Sequence, residues 1–148
     1  MRVLAFLEGR GQDAAGRTLA DVRAFGDDAI EGRHDFIQWL FPLAQPSRAV
    51  PGSPVLGPEE IAAIRASEAA REALGANARW YARFLGDNDH WLAPHDHNHL
   101  RISRAFQSLR LLHSDALADE FRGVVVDMVE TAGMRAEMAG TIRHWEAA

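Results

Sequence analysis

The sequence predicts an all-α fold, on three observations. Apolar residues recur at helical spacing, as in Ile102, Ala105, Phe106, Leu109 and Leu112, and again in Leu117, Phe121, Val124, Val125, Met128 and Val129. No stretch sustains the alternation of a half-buried strand. The stripes are bounded by helix signals: Thr18, Asn98 and Ser114 as caps, Gly57-Pro58 as a start, Gly26 and Pro42 as stops. Together they predict one domain over residues 1–148, a bundle of about five to seven helices with two of them central and buried.

Taken in order, the apolar run 3–7 leads into a turn-rich loop, Glu8-Gly9-Arg10-Gly11-Gln12-Asp13. Thr18 then caps a short helix whose stripe is Leu19, Val22 and Phe25, and Asp21 completes a capping box. The next helix is expected from Asp27 or Asp28 to about Phe41. On a helical wheel Ile30, Phe36, Ile37, Leu40 and Phe41 share one face, and Glu31, Asp35 and Trp39 share another. A tryptophan opposite the apolar stripe predicts a helix packed on more than one side. Pro42 ends it, because the residue before a proline is pushed out of helical geometry.

Residues 42–58 hold five of the six prolines and read as an ordered, extended segment over the surface. Pro58 opens a helix expected to reach about Leu74 and close on Gly75. Asn77 is expected to cap a further helix bearing Trp80, Tyr81, Phe84 and Leu85, with Gly86 as its stop. A polar loop over 87–97 follows, then a helix from His99 to about Leu112. Leu100 and Leu111, opposite its main stripe, mark it as buried on two sides. Ser114 caps the last long helix, and helical character continues past Gly133 through Met138, Ile142 and Trp145.

The bulk composition narrows the function classes. A hydrophobic fraction of 47% and a charged fraction of 25% are those of a globular protein. A net charge of −5, with Arg101, Arg104 and Arg110 sharing no clean outward stripe, disfavours nucleic acid as a partner. With no cysteine there are no disulfides, no thiolate catalysis and no Cys-based zinc site. The N-terminal apolar run is too short for a signal peptide and Glu8 interrupts it, so a cytoplasmic protein with no membrane partner is expected. The absence of lysine beside 16 arginines fits the usage of a GC-rich bacterial genome.

Two groups of residues carry chemical potential. His90, His95, His97 and His99, with Asp87, Asp89 and Asp96 interleaved, offer the imidazole and carboxylate donors of a transition-metal site, and His34 on the earlier helix would complete a metal-dependent enzyme. The spacing matches no tight metal motif, so a polar, hydrogen-bonded loop is the simpler expectation and no cofactor is assigned. The second group sets Glu31, His34 and Asp35 against Arg101 and Arg104, with Trp39 and Asn98 beside them. Guanidinium–carboxylate pairing is expected to join the two central helices there, as a structural network or as a ligand site. Adjacent helical residues point about 100° apart, so His34 and Asp35 cannot act as a base and its orienter. No Gly-x-Ser-x-Gly elbow and no phosphate loop is present. The residues alone specify no reaction, and a binding role is favoured over an enzymatic one.

Two blocks of sequence resemble a known family. His34-Asp35-Phe36-Ile37-Gln38-Trp39-Leu40-Phe41-Pro42-Leu43 is similar to the signature of the opioid growth factor receptor conserved domain. His97-Asn98-His99-Leu100-Arg101-Ile102-Ser103-Arg104, continuing to Ser108-Leu109-Arg110, resembles its second block. Gly16-Arg17-Thr18-Leu19, Pro46-Ser47 and Trp80-Tyr81-Ala82-Arg83-Phe84-Leu85-Gly86 fall in matching order, over roughly residues 4–115. The resemblance implies an all-α, non-enzymatic binding module. In animals the family is associated with an opioid peptide, met-enkephalin, and with growth regulation at the nucleus. The chain is expected to be the domain alone, without the long repeat-bearing tail of that pattern, and its partner is expected to be a peptide, a protein or a small molecule. The candidate ligand residues are Glu31, His34, Asp35, Trp39, Asn98, Arg101 and Arg104, on the groove where the two blocks meet the 87–97 loop.

Overall fold

The amphipathic stripes resolve into nine helices in the computed structural model, which describes residues 1–148: α1 (Arg2–Leu7), α2 (Leu19–Arg23), α3 (Asp27–Gly32), α4 (Ile37–Leu40), α5 (Pro58–Ala66), α6 (Glu68–Asp87), α7 (Asn98–Leu112), α8 (Asp115–Thr131) and α9 (Ala139–Glu146). The all-α class is as expected. There are no strands, only an isolated bridge between Leu43 and Val55 inside the proline-rich segment. That segment is ordered against the bundle through buried Leu43 and Leu56. No helix is long and apolar enough to cross a membrane.

The three long helices pack on one another, α7 on α8 most extensively and α6 against both. Helix α6 contributes Leu74, Ala78, Tyr81, Phe84 and Leu85 to the core, and α7 contributes Ile102, Ala105, Phe106, Leu109 and Leu112. Phe106 is the junction with the C-terminal region. Its ring meets Phe121 edge-on at 5.5 Å and Trp145 at 5.9 Å, a favoured aromatic geometry. One continuous core of 33 buried residues runs from Val3 to Trp145.

Several boundaries follow the signals in the sequence. Thr18 and Asp21 form the reciprocal capping box of α2. Pro58 occupies the first turn of α5, and the Ser114 hydroxyl accepts from the Leu117 amide to cap α8.

Three boundaries differ from expectation. First, the helix expected over residues 27–41 is broken. Arg33 is extended (φ −94°, ψ 141°), and helix resumes only after Phe36. Second, the long stretch after Pro58 breaks at Ser67, not at Gly75 and Asn77. The Ser67 hydroxyl accepts from the Ala70 amide and donates to Glu8 Oε2 at 2.8 Å. Gly75 lies inside α6, where burial along the whole helix outweighs the cost of one glycine, about 1 kcal/mol. Asn77 is buried there and caps nothing. Third, Asn98 is the first residue of α7 and leaves the capping to Asp96, whose Oδ1 accepts from the Asn98 amide at 2.8 Å.

Candidate functional site built around a broken helix

The gap between α3 and α4 is filled by polar side chains of α7. Where a helix stops, its last carbonyls lose their amide partners and must find others. Arg101 supplies them for α3. Its Nη1 donates to the Ile30 carbonyl at 2.7 Å and its Nη2 to the Arg33 carbonyl at 2.6 Å. Arg104 Nε donates to the Phe41 carbonyl at 2.8 Å, and the Ser108 hydroxyl to the Pro42 carbonyl at 2.8 Å. From α6, Asn77 Nδ2 donates to the Leu40 carbonyl at 2.9 Å. Arg101, Arg104 and Ser108 stand at i, i+3 and i+7, one stripe of α7. That stripe reads the backbone of the first block.

The expected arginine–carboxylate network is therefore not formed. Arg101 and Arg104 make no ion pair. Asp35 pairs with Arg17 at 3.0 Å and is exposed. The Arg104 Nη2 is buried without a partner, and desolvation pulls its guanidinium pKa down to about 10. The acceptors for Arg101 and Arg104 are main-chain carbonyls, which have no letter of their own in the sequence.

Four of the seven ligand candidates are scaffold. Trp39 is 3% exposed, edge-on to Phe6 at 5.5 Å. Arg101 is 8% exposed, and its guanidinium also stacks over Phe36. Arg104 belongs to the carbonyl stripe. Asn98 is fully buried, its Oδ1 accepting from the Tyr81 hydroxyl at 2.7 Å. Burial pushes the Tyr81 phenol pKa well up, so it remains a neutral donor.

The histidines divide three ways. His99 is buried; its Nε2 lies 2.8 Å from the Trp91 carbonyl, and its ring packs edge-on to Trp145 at 5.9 Å. His95 lies beside His144, Glu137 and Thr141 in a groove against α9. His90 and His97 instead converge on Glu31: His90 Nε2 contacts Glu31 Oε2, and His97 Nε2 lies 2.6 Å from Oε1. His34 joins them, its ring centroid 5.6 Å from that of His97 and nearly perpendicular to it. The four histidines of the 90–99 stretch thus do not form one cluster with His34.

What reaches solvent is Glu31, His34, Asp35, His90 and His97, drawn from two segments far apart in sequence, 31–35 and the loop between α6 and α7. Buried anchors set their positions. Trp91, beside His90, is fully buried and its Nε1 donates to the Leu85 and Asn88 carbonyls, both at 2.9 Å. The hub role of Glu31 was not legible in the sequence, although every residue involved stood out there. A groove of about 640 Å³ lies elsewhere, bordered by Leu19, Arg23, Glu72, Arg79 and Leu117. There Arg23 is already committed to Asn77 and the Ala73 carbonyl.

No model of a known protein family matches the chain, and no solved structure matches it. Two known proteins do. The opioid growth factor receptor of Rattus norvegicus is 33% identical over 100 residues, covering 55% of this chain and 17% of that protein. The opioid growth factor receptor of Mus musculus is 34% identical over 103 residues, covering 55% of this chain and 16% of that protein. The chain thus spans only a small part of the length of the relatives it matches. Over slightly more than half of its own length, this chain is similar to the opioid growth factor receptors, in keeping with the resemblance carried by its two sequence blocks.

Proposed function

We propose that this chain is a non-enzymatic binding module that takes a peptide on the face formed by Glu31, His34, Asp35, His90 and His97. One observation carries the proposal. These five polar side chains reach solvent, Glu31 joined to His90 and His97 and Asp35 to Arg17, on a base whose own polar groups are buried and hydrogen-bonded, namely Asn98, Arg101, Tyr81 and Trp91. A rigid base with polar side chains already held in place lowers the ordering cost of binding. Two carboxylates and three imidazoles suit a ligand that brings a basic group and hydrogen-bond donors. The name of the similar proteins, opioid growth factor receptor, also points to ligand binding. The proposal sets the module in the cytoplasm, with neither nucleic acid nor membrane as a partner, in keeping with a net charge of −5.

The test is selection of a displayed random-peptide library against the chain in the presence of EDTA. Enriched peptides are expected to lose at least about tenfold in affinity for a His34→Ala, Asp35→Ala, His97→Ala variant, a loss of about 1.4 kcal/mol. The variant should unfold at the same denaturant concentration as the parent. Enriched peptides that bind the variant equally well, or no enrichment at all, would contradict the reading.

A further inference from the structure

The Glu31 end of this face has the makings of a metal site. Glu31, His90 and Asp96 each present a ligand atom, and these atoms all lie within 4.8 Å of one another. They come from the last turn of α3, the loop behind α6 and the residue that caps α7. One imidazole nitrogen with two carboxylates is a donor set that divalent first-row transition ions accept.

Electrostatics and the surrounding groups favour a cation there. Two carboxylates this close repel, and a cation between them relieves that repulsion. The Arg101 guanidinium, which also lies 3.4 Å from Asn98 Oδ1, is committed to the Ile30 and Arg33 carbonyls. Ligating carboxylates are normally oriented by outer hydrogen bonds, and those are present. His97 Nε2 lies 2.6 Å from Glu31 Oε1, the oxygen not used by His90. Asn98 Nδ2 donates to Asp96 Oδ1 at 2.9 Å and lies 3.3 Å from Glu31 Oε2. The ligand side chains are nevertheless reachable: Asp96 is 14% exposed, Glu31 30% and His90 40%.

We propose that Glu31, His90 and Asp96 bind a divalent transition-metal ion, with His97 as a positioning residue on Glu31. The ion would tie the loop that precedes α7 to the end of α3. His95 and His99 take no part. This proposal does not rest on peptide binding; because the peptide selection is run in EDTA, the two fail separately.

The probe is zinc chloride, titrated calorimetrically into chain purified without a histidine tag, with cobalt(II) absorbance as a second readout. Saturation at one ion per chain is expected, together with a rise in unfolding temperature. His90→Ala should weaken zinc binding by more than about tenfold and His97→Ala by about tenfold, with circular dichroism unchanged. Cobalt should lose its visible bands in His90→Ala. His95→Ala and His144→Ala should bind as the parent does. Absence of saturable uptake overturns the proposal. So does uptake that survives His90→Ala, including uptake lost instead in His95→Ala or His144→Ala.

Discussion

Residues 98–112 form one unbroken helix, whereas residues 27–42 form two short ones around an extended stretch. Both segments are rich in large apolar side chains; burial is continuous from Phe36 to Pro42 in the broken one, and α7 is buried except for sites such as Leu100, 70% exposed. They differ in where their backbone hydrogen bonds go. Helix α7 satisfies its own amides and carbonyls and presents Arg101, Arg104 and Ser108 outward on one stripe. The broken segment leaves the Ile30, Arg33, Phe41 and Pro42 carbonyls open, and that stripe closes them. One region supplies regular backbone and spare donors; the other supplies irregular backbone and spare acceptors. The irregular region can then turn Glu31, His34 and Asp35 to solvent while Phe36 and Ile37 stay in the core.

The largest effect expected from breaking this arrangement is at Arg101. Two charge-assisted bonds, one to the buried Ile30 carbonyl and one to the partly buried Arg33 carbonyl, are lost in Arg101→Met, for about 3 kcal/mol of destabilisation in urea unfolding. Arg104→Met should cost less, about 1–2 kcal/mol. It removes one such bond but also relieves a buried guanidinium nitrogen with no partner. If the two variants rank the other way, the stripe does not work as described.

A smaller effect sharpens the same contrast. Gly32 is exposed, closes α3, and has open space where a Cβ would stand. Gly32→Ala should stabilise the protein by about 0.4–1 kcal/mol, because the break is imposed by Arg101 and the core and not by a need for glycine. Destabilisation there would make the glycine itself the cause.

The smallest effect is in acid. The Asp21 carboxyl is held below its usual range by the Thr18 backbone amide and hydroxyl. Its folded pKa is depressed, so its contribution is present above the unfolded value of about 3.9 and is lost as pH falls through the folded value. Asp21→Asn should therefore lower the urea midpoint at pH 7 and leave it unchanged at pH 2. A loss of equal size at both pH values would show that the carboxylate charge is irrelevant to the cap.

Much of this fold was legible in the sequence, for a physical reason. Apolar stripes such as Ile102, Phe106 and Leu109, and caps such as Thr18 and Ser114, are local: residues a few positions apart decide them. The break after Gly32 was not legible, because Phe36, Ile37, Leu40 and Phe41 are apolar on a continuous wheel and on a broken one alike. Ser67 was overlooked for the opposite reason. Its cap is local, but Gly75 offered a more conspicuous stop that burial overrides. At the site, Glu31, His34, Arg101 and the histidines all stood out by type. Their partners are tertiary: Glu31 meets His90 and His97 only because Asn98 and Trp91 fix the intervening loop, and Arg101 meets carbonyls that no residue letter reveals.

The central claim is that the second block holds the first by its backbone and not by its acids. A double-mutant cycle between Arg101→Met and Asp35→Ala, measured by urea unfolding, tests it most directly. The account predicts that the two changes add within about 0.5 kcal/mol, because Arg101 bonds carbonyls while Asp35 faces Arg17. A coupling of about 1 kcal/mol or more would restore the arginine–carboxylate network and contradict the account.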